Sequence, residues 1–175
     1  MSVTPFDPLA VLRTLDRHGV RFVVIGGIAA RLWGSPSLTG DLDLCYRRDR
    51  ENLRRLAEAL QELHARLRGA PAGLPFLLDA QTLESGDHFT FSTDLGDVDV
   101  LGVPRGTEGY RDLAATASEL ALGDVVVLVA SLEDLVRMKQ AADRPKDRIE
   151  LEVLAALREE RDAREAAGID PDAGA

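Results

Sequence analysis

Cysteine is almost missing from this chain of 175 residues: Cys45 is the only one. One thiol excludes an internal disulfide and any cysteine-based zinc cluster, and a reducing cytoplasm is the simplest home for it. Long apolar runs are missing too. No stretch approaches the roughly 20 residues a membrane-spanning helix needs, so no membrane partner is expected. The N-terminal MSVTPFDPLAVLRTLDRHG has no basic region followed by an apolar block, which argues against a secretory signal. Positive charge is in short supply, with 21 Lys and Arg against 30 Asp and Glu and a net charge of −9. That balance disfavours broad, sequence-independent nucleic-acid binding, which depends on counterion release by many basic groups. Lysine is scarcer still: only Lys139 and Lys146 occur, beside 19 arginines.

What remains is ordinary globular material. Apolar residues at 45% and charged residues at 29% suit one folded domain with its own core. Asp7 and Pro8 mark a helix start, and Gly19 marks its stop. VRFVVIG reads as a buried strand, GIAARLW as a short helix and DLDLCY as a second strand. Leu53, Leu56, Leu60, Leu63 and Leu67 form one apolar stripe, predicting a helix from about Arg50 to Arg68. PFLLDA, HFTFS and DVDVLGV then read as short strands, followed by a helix over 110–117 and the strand DVVVLVA. Ser131 with Asp134 opens another helix. The last helix is expected from Pro145 with Ile149, Val153, Leu154 and Leu157 facing inward, and a frayed tail over 162–175. This order predicts an α/β (α+β) fold: a mixed, mostly short-stranded sheet flanked by helices, with a core over 1–130 and C-terminal helices over 131–161 packed on it.

The chemistry is concentrated in GGIAARLWGSPSLTGDLDL, from Gly26 to Leu44. Asp41 and Asp43 lie one residue apart on a strand, so they share a face and repel each other. A bound cation relieves that repulsion. Magnesium takes oxygen ligands, and two-metal phosphoryl chemistry holds its ions about 3.5–4 Å apart. A third carboxylate is expected on a neighbouring strand, and GDVDVLG offers Asp97 and Asp99. Asp99 sits within the apolar run and is the better candidate; Asp97, after a turn glycine, reads as a turn or edge residue. The bland alternative is a set of solubilising strand charges, although aspartate is depleted in strands. Gly26 and Gly27 suit either a tight turn or a backbone that approaches a phosphate at a helix start.

Gly-Gly at a strand-to-helix junction, thirteen residues (28–40), then Asp-Leu-Asp on a strand resembles the signature of the nucleotidyltransferase superfamily, with its polymerase beta-like fold. Asp99 matches the third acidic residue of that pattern. The segment LEDLVRMKQAADRPKDRIELEVL resembles the C-terminal part of the AbiEii/AbiGii toxin-type nucleotidyltransferases, where a Met-Lys helix leads into an Arg-Pro-Lys-Asp turn. The likeness spans roughly residues 18–157. This sequence departs from it at Ile28, where many members have serine, and at Ser37 and Leu38, where relatives often place a basic residue.

The resemblance implies Asp41, Asp43 and Asp99 as catalytic residues and ligands of two Mg2+ ions. It implies Gly26, Gly27, Thr39, Lys139, Arg144, Lys146 and Asp147 as nucleotide-binding residues. A mobile ammonium suits a single phosphate, whereas solvated surface lysines are the alternative. The implied reaction moves a nucleoside monophosphate from a nucleotide triphosphate to an RNA 3′ end or a protein hydroxyl, as in the toxin of a toxin–antitoxin pair. A small-molecule, antibiotic-type adenylyltransferase and a non-catalytic nucleotide-binding module are the rivals. The arginines at 47, 48, 50, 54 and 55 suit an RNA landing strip or a solvated helix face with pairs such as Glu51–Arg55. His18, His64 and His88 are too scattered to suggest a site.

Overall fold

A computed structural model describes residues 5–168 of the chain. In order, the elements are α1 (Pro8–Arg17), β1 (Phe22–Ile25), α2 (Gly26–Leu32), β2 (Asp41–Tyr46), α3 (Arg50–Glu62), β3 (Arg66–Leu67) and α4 (Ala80–Ser85). There follow β4 (His88–Thr93), β5 (Gly96–Leu101), α5 (Tyr110–Thr116), β6 (Ser118–Leu122), β7 (Val125–Val129), α6 (Leu132–Ala142) and α7 (Asp147–Ala166). The strands form one seven-stranded sheet in the order β3-β4-β5-β2-β1-β7-β6. It is mixed: β2 runs parallel to β5 and β1 parallel to β7, while the remaining neighbours are antiparallel.

Alternation along the central strands sorts the chemistry. Leu42, Leu44, Val98 and Val100 are buried on one face of β2 and β5. Asp41, Asp43, Asp97 and Asp99 occupy the other face and are only half-buried. Leucines 53, 56 and 60 of α3 and Val11, Leu12 and Leu15 of α1 complete the apolar core. Asn52 is buried within this core region, and its carboxamide closes the chain on itself. Its oxygen accepts from the Arg21 N–H at 2.7 Å, and its amide donates to the Arg21 carbonyl at 2.9 Å and the Arg47 carbonyl at 2.7 Å. The bonds fix the entry to β1 against the exit from β2, and so help set the strand register on which the carboxylates depend.

Helix α3 stops at Glu62, six residues short of the expected Arg68. A Schellman motif ends it: the Ala65 N–H donates to the Leu60 carbonyl and the His64 N–H to that of Gln61. Histidine rather than glycine occupies the left-handed position, with φ of 52°. Leu67 therefore belongs to β3, not to the helix stripe. PFLLDA is not a strand either. Asp79 instead caps α4, its carboxylate accepting from the Thr82 N–H at 2.8 Å. Ile149 is 72% exposed, contrary to its expected inward placement, while Leu154 is buried and Leu157 packs against the core. Residues 162–166, expected in the tail, continue α7, and 169–175 lie outside the described residues. Among the described residues no helix is long and apolar enough to cross a membrane.

Replacing Asn52 by alanine leaves the part-buried Arg21 N–H without its partner. Such a change is expected to destabilise the fold by about 2 kcal/mol, read by urea or thermal unfolding. Unchanged stability would show that water replaces the carboxamide freely.

Candidate active site

Parallel pairing of β2 with β5 sets Asp41 opposite Asp97 and Asp43 opposite Asp99. Asp41, Asp43 and Asp99 each present a carboxylate oxygen, and these oxygens lie within 4.8 Å of one another. Crowding has a measurable consequence. Burial, then the negative charges of Asp41 and Asp99, push the Asp43 carboxyl up to about 7, with Lys139 and Arg68 opposing. The Asp99 carboxyl is also raised, chiefly by burial, against the pull of Arg68. The Thr39 hydroxyl stands 3.1 Å from the Asp41 carboxylate and 3.2 Å from the Asp41 carbonyl, steadying that side chain.

The two glycines are needed by this same cluster. Gly26 has φ of 66°, and a Cβ there would fall 2.3 Å from Asp43 Oδ2. A Cβ on Gly27 would fall 2.8 Å from Thr39 Cβ and Oγ1. Any side chain would push the start of α2 away from the carboxylate strand. The N-cap position, Ile25, supplies no side-chain hydrogen bond to the first N–H groups of α2.

Basic groups come from the far C-terminal part of the chain. Lys139 is in the last turn of α6, and its ammonium donates to Asp147 Oδ1 at 2.9 Å. Arg144 donates to the same carboxylate at 2.8 Å and 3.3 Å. The Asp147 side chain is only 2% exposed. Burial works against its charge, but the bonds from Arg144 and Lys139 outweigh that and hold its carboxyl below the usual range. Asp147 thus anchors two cations and opens α7 as its first residue. Lys146 is exposed.

One cleft of about 850 Å³ gathers Gly26, Gly27, Thr39, Asp41, Asp43, Asp99, Lys139, Arg144, Lys146 and Asp147 on its walls. Residues more than 100 positions apart in sequence meet there. Asp97 does not line it. Nor is Asp97 a turn or edge residue: it is the second residue of an interior strand, held by the Ser92 hydroxyl at 2.9 Å and by Arg68. The arginines after β2 are largely spent on neighbours: Arg47 on Asp49, Arg48 on Asp87, Arg54 on Glu51 and Glu58, and Arg55 on Glu51.

Arg68, His88 and Arg105 also line the cleft and were not among the expected site residues. Arg68 was concealed by the leucine stripe, which carried the helix through it. His88 belongs to β4, whose alternate residues His88, Thr90 and Ser92 share the carboxylate face through pairing with β5. Isolated in sequence, it joins the site only through strand pairing.

The donor set suits a hard divalent cation. Three carboxylates converge with oxygen only, the chemistry that magnesium or manganese selects. The Asp43 carboxyl is raised first by burial and then by its two carboxylate neighbours, and Lys139 and Arg68 do not cancel these effects.

No protein-family model matches this sequence, and no curated protein matches it. Solved structures do match in fold. The lincomycin-bound lincosamide antibiotic adenylyltransferase LnuA aligns over 86% of this chain and 95% of its own, with TM-score 0.59 and 13% identity. A putative nucleotidyltransferase from Thermotoga maritima aligns over 90% of this chain and 91% of its own, with TM-score 0.54 and 18% identity. The antibiotic-resistance factor ANT(2'')-Ia, in complex with adenylyl-2''-tobramycin, aligns over 89% and 94%, with TM-score 0.53 and 17% identity. The chain has the nucleotidyltransferase fold.

The raised Asp43 carboxyl makes the metal-free protein pH-sensitive. Its folded value, about 7, exceeds the ordinary 3.8, so the folded state holds the proton more tightly. That contribution to stability is complete below the unfolded value and disappears as pH rises through the folded one. Without metal, the melting temperature of wild type is expected to fall between about pH 5 and pH 8 relative to Asp43→Asn. Parallel profiles would show that the carboxylates are not in conflict. Gly26→Ala is expected to destabilise the fold by about 1–3 kcal/mol through the strained backbone and the clash with Asp43. An alanine variant as stable as wild type in thermal unfolding would contradict the close approach.

Proposed function

We propose that this protein is a metal-dependent nucleotidyltransferase. The observation that carries the reading is the convergence of Asp41, Asp43 and Asp99 beside the Gly26–Gly27 turn, facing a lysine-bearing wall across one cleft. Asp41 and Asp43 would hold Mg2+ for the nucleotide, and Asp99 would complete a second Mg2+ site. When bound, the ions neutralise triphosphate charge and polarise the α-phosphorus.

The chain's own groups do the rest. The backbone of the glycine turn and the positive end of α2 face the phosphates. Lys139, Lys146 and Arg144 supply compensating charge from α6 and the turn into α7, with Asp147 keeping Lys139 and Arg144 oriented. The acceptor oxygen forms a bond to the α-phosphorus as the bond from that phosphorus to the bridging oxygen breaks. Pyrophosphate leaves with that oxygen. Asp99 takes the acceptor's proton and returns it to water. Its place opposite Asp43 on the same sheet face suits it to that role.

Two acceptor classes fit, each from its own observation. The segment from α6 into α7, with Met138, Lys139 and Arg144 to Asp147, is like the toxin-type enzymes and favours an RNA 3′ end or protein hydroxyl, with an antitoxin as partner. The likeness in fold to LnuA and ANT(2'')-Ia favours a hydroxyl on a small molecule of the antibiotic type. A non-catalytic nucleotide-binding module would have no need of all three carboxylates.

The test is incubation with each α-labelled nucleotide triphosphate and Mg2+, using total RNA, cell lysate and a panel of lincosamides and aminoglycosides as acceptors. Label is expected in one acceptor class, and Asp43→Asn is expected to abolish it. Absence of transfer together with absence of Mg2+–nucleotide binding would overturn the proposal. Lys139→Ala or Lys146→Ala is expected to weaken nucleotide binding by about ten- to a hundredfold, as removal of a charge-assisted bond does. Arg50→Ala on α3 is expected to stay within about twofold. Equal effects in a nucleotide titration would mean that the lysines are surface decoration.

A further inference from the structure

The guanidinium of Arg68 is the cation resident beside the carboxylates. Its backbone is fixed by the β3–β4 pairing, with the Arg68 N–H donating to the Thr90 carbonyl at 2.9 Å. From there the side chain runs across β4. One terminal nitrogen donates to Asp99 Oδ1 at 2.7 Å and to the Phe91 carbonyl at 3.1 Å. Its Nε lies 3.1 Å from Asp97 Oδ2 and is buried without a well-aligned hydrogen bond. The other Asp97 oxygen is taken by the Ser92 hydroxyl at 2.9 Å. One arginine therefore spans two carboxylates, one of the cleft and one just outside it. The Asp97 pair is a poor bond as it stands and would improve if the guanidinium moved off Asp99.

We propose that Arg68 is a positioning residue that competes with the divalent cation for Asp99, and that Asp97 is the alternative partner that receives it when Asp99 is engaged. The inference rests on the reading of Asp41, Asp43 and Asp99 as the metal site. In the metal-free protein, Arg68 offsets part of the like-charge repulsion. Release of Asp99 requires a place for the guanidinium, and Asp97 offers one on the same sheet face, tethered by Ser92. This gives Asp97 a task without making it a ligand, and it explains why the first aspartate of GDVDVLG lies outside the cleft.

The two residues then affect metal binding in opposite directions. Titration with Mn2+ alone, followed by calorimetry or by the free Mn2+ electron paramagnetic resonance signal, reads this without turnover. Arg68→Gln is expected to bind Mn2+ about tenfold more tightly, because a charge-assisted competitor is removed. Asp97→Asn is expected to bind it several-fold more weakly, because Arg68 then has only Asp99. In the double variant the Asp97→Asn effect is expected to vanish. Persistence of that effect would mean that Asp97 acts by its own charge, and would overturn the exchange. Tighter binding absent from Arg68→Gln would overturn the competition. If Arg68→Gln does not fold by circular dichroism, Arg68→Lys replaces it. One ammonium cannot hold both carboxylates, so it too is expected to bind Mn2+ more tightly than wild type. Wild type that binds no Mn2+ refutes the metal site itself, whereas wild-type binding with an unresponsive Arg68 refutes only the exchange.

Discussion

Three carboxylates on one sheet face, closer together than their charges tolerate, are the constraint around which this chain is built. Parallel pairing of β2 with β5 creates the crowding by setting Asp43 against Asp99. Burial then strengthens the conflict by weakening the solvent screening that exposed carboxylates enjoy. Surrounding features relate to this one. Gly26 lacks a side chain because Asp43 needs the space, and Thr39 packs on Gly27 while steadying Asp41. Arg68 and Lys139 reach toward the cluster from separate parts of the chain and offset only part of its charge. A protein optimised for stability alone would replace one of these aspartates. Keeping all three makes sense when a divalent cation completes the charge balance.

The glycine pair, the Asp-Leu-Asp strand and the choice of Asp99 over Asp97 were legible because each is written in local residue type. So was the cap of α1 by Asp7, whose carboxylate accepts from the Ala10 N–H. Arg68 was illegible for a specific reason. The leucine stripe of α3 runs on to Leu67 in perfect helical spacing, and the stop depends on a histidine in a left-handed conformation that residue type does not announce. The expected helix ran on to Arg68, whereas the early stop puts Arg68 after β3 with its side chain on Asp99. His88 and Ser92 were hidden differently: their roles come from cross-strand register between β4 and β5, a long-range relation absent from any short window. Ile149 shows the converse, an apolar residue at helical spacing that is nevertheless exposed.

The surface charge also bears on the acceptor. Near the start of α3, Arg54 and Arg55 are held in ion pairs with Glu51 and Glu58, so they offer little free positive charge to an RNA backbone. Basic groups also line the cleft, where Arg105 and Lys146 join the Asp147-anchored pair. In the proposed function this is where a triphosphate would be held. The proposed acceptor would enter the same cleft, which is also lined by apolar groups such as Leu38, Leu101 and Met138.

Asp41, Asp43 and Asp99 would form a divalent cation site. Its most direct test is a crystal grown with Mn2+ and a non-hydrolysable nucleotide triphosphate analogue, measured at the manganese absorption edge. Anomalous peaks bonded to Asp41, Asp43 and Asp99, with Arg68 displaced from Asp99, are the expected result. Nucleotide bound in the cleft with no manganese at the three aspartates, or manganese held elsewhere, would contradict it.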